Sequence, residues 1–185
     1  FSALSASKLR KAEIDIERSI TLLRGSLTLD GAEGGDFKAV LVVIFSPPPE
    51  SSDARQAAGV IARIKAELPD AEILSLPADP GQTAIDDLSR FLASERRFDE
   101  AVILTYNAHF RPAQEGVARL VEESLPRFRV IAMLDPYDAA FFPRAVGLGA
   151  AYGFSEGSAQ AVARILAGKC KARGGHPVEV IGLEV

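Results

Sequence analysis

Few side chains in this sequence could do chemistry, and they gather in short polar stretches that follow apolar runs. TYNAHFRPAQ, residues 105–114, follows Ala101-Val102-Ile103-Leu104 and carries Asn107, His109 and Gln114. DPYD, residues 135–138, follows Val130 to Leu134 and sets two carboxylates, Asp135 and Asp138, around Tyr137. An imidazole can move a proton near neutral pH, and a pair of carboxylates can serve as acid and base in glycoside cleavage. The pair meets an objection, however. A carboxylate at a helix N-terminus is stabilised as its anion by about 0.3 to 1 kcal/mol, whereas a general acid near neutral pH needs its pKa raised. Asp138 is therefore expected to cap a helix or accept hydrogen bonds.

Other chemistries fail on residue type or spacing. His109 and His176 are far apart and form no HxH or HExxH pattern, so no metal site is expected. Phosphate cradles use consecutive backbone N–H groups, often supplied by glycine, but the loop SPPPESSD holds three prolines that lack them. No GxGxxG or GxxxxGK[ST] occurs, so no nucleotide or flavin cofactor is expected. A phosphoryl-accepting site would need acids where Ser46 and Asn107 stand. Ser155 lies in GFSEG, which fits the strand-to-helix elbow of hydrolases only loosely, and is expected to cap the last helix. The lone Cys170 has no disulfide partner in the chain. The net charge of -4 is dispersed, which disfavours nucleic acid as a partner. No apolar run approaches the roughly 20 residues of a bilayer span.

The elements that must position these loops follow from periodicity. Leu9, Ala12, Ile16, Ile20 and Leu23 predict a leading helix cut near Gly25, and Leu27 to Leu29 a short strand. Ala39 to Phe45 is apolar throughout, as in a strand covered on both faces. Thereafter helices marked by Ala57–Leu68, Ala84–Leu92 and Val117–Leu125 alternate with strands over 71–76, 101–106 and 130–134. A short helical segment is expected around Phe141 to Val146, then a strand over Gly147 to Tyr152 and a last helix from Ser155 to Gly168. The tail VEVIGLEV could add an edge strand. This alternation predicts a three-layer αβα sandwich: a mostly parallel, flavodoxin-like sheet with helices on both faces. Residues 1–185 are read as a single α/β domain, in which residues 1–25 lead in and residues 170–185 form an exit tail. The start at Phe1 reads as that of a fragment or a processed product.

Several stretches resemble, in order, landmarks of the carboxyl-terminal domain of family 3 glycoside hydrolases. They are ERSITLLRG, TYNA with Gln114, PYD, and AAYGFSEGSAQAVARILAGKCKARGGHPVEV. The resemblance implies packing against an amino-terminal (β/α)8 barrel of the same parent enzyme, which would hold the Asp nucleophile. In the β-glucosidase branch the second domain supplies a general-acid Glu near the region of NAHFRPAQ. Here no carboxylate precedes Glu115, and TYNA is similar to the β-N-acetylglucosaminidase branch, whose acid/base is a barrel histidine. Two departures stand out: Asp135 where a basic residue often precedes PYD, and His176 where an apolar residue usually precedes the proline.

The resemblance thus implies a non-catalytic domain that supports a barrel and shapes the rim of its site. Asn107, His109, Gln114, Asp135, Tyr137 and Asp138 would face the barrel or a glycan substrate. The alternative is an independent flavodoxin-like module for a small ligand or partner. A soluble protein is expected, cytoplasmic before exported, with no membrane partner.

Overall fold

A computed structural model describes residues 6–32, 39–94 and 98–175. The elements run α1 (Ala6–Ser19), β1 (Thr21–Gly25), β2 (Val40–Ser46), α2 (Ala57–Glu67), β3 (Glu72–Pro77), α3 (Gln82–Leu92) and β4 (Glu100–Thr105). Then come α4 (Pro112–Ser124), β5 (Phe128–Ala132), β6 (Gly147–Ala150) and α5 (Glu156–Leu166). Short 3-10 turns cover Ser52–Gln56, Ala108–Phe110 and Pro136–Phe141.

One six-stranded sheet has the order β1-β6-β5-β4-β2-β3. Every pairing is parallel except that of β1 with β6. Without β1, the strand order is that of a doubly wound flavodoxin-like sheet. The middle strands are sealed on both faces: Leu41 to Phe45 of β2 and Ala101 to Leu104 of β4 are all 0% exposed. Helix α5 packs on α1 and α2, and α3 packs on α4. Right-handed crossovers place these two groups on opposite faces, giving the three-layer αβα sandwich.

Local signals in the sequence fix the last helix. Ser155 Oγ accepts from Ser158 N at 3.2 Å, which caps one of the unpaired amides of the first turn. At the other end Gly168 adopts φ +69°, and Lys169 N donates to Arg164 O at 2.8 Å, closing the helix.

Three sequence expectations need correction. Helix α1 stops at Ser19, and Ile20 and Leu23 belong to the approach and body of β1. Their apolar spacing fits a helix, but Leu23 is buried between exposed Leu22 and half-buried Arg24, the alternation of a strand that pairs with β6. Leu27 and Leu29 are buried yet form no strand; Leu29 N donates to Leu166 O at 2.9 Å instead of to a neighbouring strand. The connector runs so close to β6 that a side chain at Gly147 or Gly149 would collide with Ser26 or Leu27. Finally, the short helical segment lies upstream of Phe141–Val146, at Pro136–Phe141, because Pro136 and the capping carboxylate of Asp135 start it earlier. His176 and the tail of residues 178–185 lie outside the described residues. Gly174 makes an isolated parallel bridge with Thr21.

At the amino ends of the parallel strands sits a buried ion pair. Arg129 and Glu100 are each 1% exposed and bridge β5 to β4. Arg129 also donates to the carbonyls of Ser26 (3.0 Å) and Thr28 (2.8 Å), and Glu100 Oε1 accepts from Asp30 N at 2.9 Å. A connector without sheet partners is thereby fastened by side chains.

Candidate functional site

Ligands of open α/β sheets sit outside the carboxyl ends of the strands. Here the loops after β2, β3, β4 and β5 converge at that end, and buried side chains tie them to one another.

Gln114, in the first turn of α4, is fully buried. Its Oε1 accepts from Tyr106 N at 3.1 Å, while Nε2 donates to Tyr106 O at 2.8 Å and to Ala78 O at 2.9 Å. The loops after β3 and β4 are joined by this one amide. Arg111 adds an ion pair with Asp79 across the same gap.

Tyr106 follows β4 and its side chain reaches the loop after β2, across the point where the strand order reverses. Its ring meets Phe154 edge-on at 5.6 Å, and the Arg111 guanidinium lies 5.9 Å from its centroid. The hydroxyl donates to Asp53 Oδ2 at 3.0 Å and lies 3.1 Å from Ser51 Oγ, both in the loop after β2. Burial raises the Tyr106 pKa; the hydrogen bond with Ser51 opposes this, and the hydrogen bond and charge of Asp53 add to it.

Asp138 is 0% exposed. Oδ2 accepts from Thr105 Oγ1 at 2.6 Å; Oδ1 accepts from His109 N at 3.0 Å and lies 2.7 Å from His109 Nδ1. The expected capping role falls to Asp135, whose Oδ1 accepts from Tyr137 N at 3.0 Å. Asp138 instead accepts hydrogen bonds in the interior, linking the loop after β5 to the end of β4. The His109 ring lies 3.9 Å from that of Phe110, centroid to centroid, and its Nε2 is 3.7 Å from Asp135 Oδ2.

Among the described residues, two other than glycine have left-handed backbone, Asn107 (φ 50°) and Tyr152 (φ 56°). Both follow a parallel strand at this same end. Such conformations cost of order 1–3 kcal/mol and cluster at functional sites. The buried Tyr152 hydroxyl has no hydrogen-bond partner among the described residues.

The structure therefore splits the sequence candidates. His109, Asp135 and Tyr137 (42% exposed) stand at the outer edge, with Asn107 as the turn that presents His109. Gln114 and Asp138 are sealed inside and can touch nothing external. A carboxylate pair Asp135/Asp138 acting on one glycosidic bond is thus excluded by burial of one member. Sequence reasoning missed Thr105, Tyr106, Ser51, Asp53 and Phe110. Thr105 and Tyr106 left a signal: hydroxyls at the end of a buried strand must find partners.

Ser155 does not form a nucleophile elbow, since four residues separate it from β6 and its hydroxyl faces Ser158. Among the described residues no group of three or more His, Cys, Asp or Glu could hold a metal ion. None of their helices is long and apolar enough to cross a membrane.

The class defined by these features is a doubly wound α/β domain with a pre-tied ligand-end rim. No family model matches the sequence, and no curated protein matches it. Solved structures do. A family 3 glycoside hydrolase β-N-acetylglucosaminidase from Paenibacillus sp. str. FPU-7 matches all of this chain with a TM-score of 0.79 at 22% identity. A fungal multi-domain β-N-acetylglucosaminidase of the same family matches 98% of it (TM-score 0.76, 16% identity). A β-glucosidase from Listeria innocua matches 91% (TM-score 0.68, 13% identity). The chain spans only 34%, 20% and 26% of these proteins respectively. What is shared is the fold of one segment of family 3 glycoside hydrolase chains.

Proposed function

We propose that this chain is the non-catalytic carboxyl-terminal domain of a family 3 glycoside hydrolase acting on β-N-acetylglucosaminides. Its partner is the amino-terminal (β/α)8 barrel of the same parent enzyme, which supplies the nucleophile and the acid/base. The chain supports that barrel and shapes the rim where the glycan enters. The observation that carries this reading is the likeness to a β-N-acetylglucosaminidase over the whole of this chain but only 34% of that one.

The site chemistry is in keeping with it. Retaining enzymes usually hold two carboxyl groups about 5 to 5.5 Å apart across the scissile bond, and of the Asp135/Asp138 pair one member is fully buried. Gln114, Tyr106 and Asp138 direct their polar atoms inward to fix loop positions. Asn107, His109, Asp135 and Tyr137 are left as the edge that meets barrel or glycan.

The test is an assay on an aryl N-acetylglucosaminide. The 185-residue chain alone is expected to release no product, whereas the parent protein that contains it does. Turnover by the purified chain alone, or a parent protein inactive on N-acetylglucosaminides, overturns the reading.

A further inference from the structure

We propose that Arg18, Lys171 and Arg173 form a binding site for a pyrophosphate-bearing small molecule, in the concavity between α1 and the segment that leaves α5. The site is independent of the function proposed above.

The concavity holds about 410 Å³, within the roughly 300 to 1,000 Å³ of small-molecule sites. One wall is the carboxyl-terminal half of α1, with Ile14, Glu17 and Arg18; the other is the segment from Gly168 to Arg173. That segment is held at both ends. Lys169 N donates to Arg164 O at 2.8 Å, and Gly174 N donates to Ile20 O at 2.9 Å. The walls are thereby set before any ligand arrives, which lowers the cost of binding.

Charge selects the ligand. Of the ionised groups on the two walls, Glu17 is paired with Arg164 at 2.6 Å and Lys169 with Glu67 at 2.7 Å. Arg18, Lys171 and Arg173 are exposed and meet no acid among the described residues. Three cations thus converge on a chain whose net charge is -4. Attraction to a helix carboxyl end accounts for Arg18, in the last turn of α1, but Lys171 and Arg173 stand on no helix. Like charges gathered in one place repel, and a bound anion relieves that repulsion. Cys170, on the same wall, adds no competing charge, because burial and then Glu17 raise its thiol pKa.

A lone carboxylate cannot answer three cations, whereas a pyrophosphate carries charge for all of them. Its oxygens suit the two guanidinium forks, and Lys171 adds a point charge. Recognition falls to side chains, since the sequence has no glycine-rich phosphate cradle. Ile14, 42% exposed on the α1 wall, offers an apolar surface for the organic part of the molecule. A metal ion is repelled by the sign of the charge.

The test is calorimetry of the 185-residue chain with sodium pyrophosphate at fixed ionic strength, with sodium sulfate as the simple-anion control. The expected result is saturable binding at about 0.1 mM pyrophosphate, about tenfold tighter than sulfate, with a melting temperature that rises as the site fills. Arg18→Gln, Lys171→Gln and Arg173→Gln, all at exposed positions, should each weaken binding about tenfold. Arg173→Lys should weaken it less, because the charge stays and only the fork is lost. Arg55→Gln removes an exposed cation from the turn after β2 and should leave binding unchanged. No saturation, sulfate bound as tightly, binding that survives loss of all three cations, or an equal loss in Arg55→Gln overturns the proposal. The three side chains would then be an ordinary solvated surface.

Discussion

Gln114 grips both main-chain polar groups of Tyr106, accepting from its N at 3.1 Å and donating to its O at 2.8 Å. A side-chain amide thus takes the place of a neighbouring strand just where β4 ends. Because the site is fully buried, water cannot replace the lost partner.

Gln114→Ala should therefore cost about 3 kcal/mol, since buried main-chain groups are left unpaired. Gln114→Glu should also destabilise, because a carboxylate cannot donate to the carbonyls of Tyr106 and Ala78. Urea denaturation followed by circular dichroism measures both. A change below about 0.5 kcal/mol for Gln114→Ala would remove this amide from the account of the rim.

The interior of the His109 turn separates into stability and tautomer. Thr105→Val deletes one donor to Asp138 and should cost about 2 kcal/mol, as for a hydrogen bond to a charged group. It should leave the His109 Nδ1–H signal in place. Asp138→Ala should abolish that signal in the imidazole NMR spectrum, because its acceptor is gone. Persistence of the signal in Asp138→Ala would show that Asp138 does not hold the Nδ1 proton.

The Arg129–Glu100 pair should behave as a unit. Removing Arg129 alone strands the buried Glu100 charge and should cost about 3 to 5 kcal/mol, whereas removing Glu100 alone leaves Arg129 its ion pair with Asp30 and should cost less. Burial lowers the Arg129 pKa, an effect opposed by the hydrogen bond and charge of Asp30. The double variant Glu100→Leu with Arg129→Met should be less destabilised than the two single losses added together. A double-mutant cycle in urea reads the coupling. Simple additivity would show that the two charges do not depend on each other.

Alkaline pH should loosen the crevice at Tyr106. Burial and then Asp53 raise its pKa above that of the unfolded chain. A raised folded value contributes stability that is complete below the unfolded pKa of about 10 and is lost as pH rises through the folded one. Tyrosinate absorbance should show a late-titrating component that Tyr106→Phe removes. The same variant should flatten the fall in melting temperature across that range. A titration unchanged by Tyr106→Phe sinks the assignment.

Much of the architecture was legible because the strands are buried on both faces. Continuous apolar runs such as Val40–Phe45 and Ala101–Leu104, separated by amphipathic helices, admit few arrangements other than a parallel sheet. The opening of the chain misled for a physical reason. Ile20 and Leu23 extend a helical spacing, and only pairing with β6 reveals Thr21–Gly25 as a strand. The rim was half legible. Loop positions and His109 followed from the strand ends, but burial of Gln114 and Asp138 depends on contacts across 36 and 33 residues respectively, which local pattern does not encode. The bareness of Phe110 is likewise a product of the turn set by Asn107.

The ties among the loops bear on how such a rim can change over generations. A lengthened loop after β3 would pull Gln114 and Arg111 out of place, and one after β5 would release His109. Insertions there would be selected against together, so this edge should be inherited as a block. Novelty would enter by single replacements at the outermost tip, where Phe110 answers to no neighbouring loop.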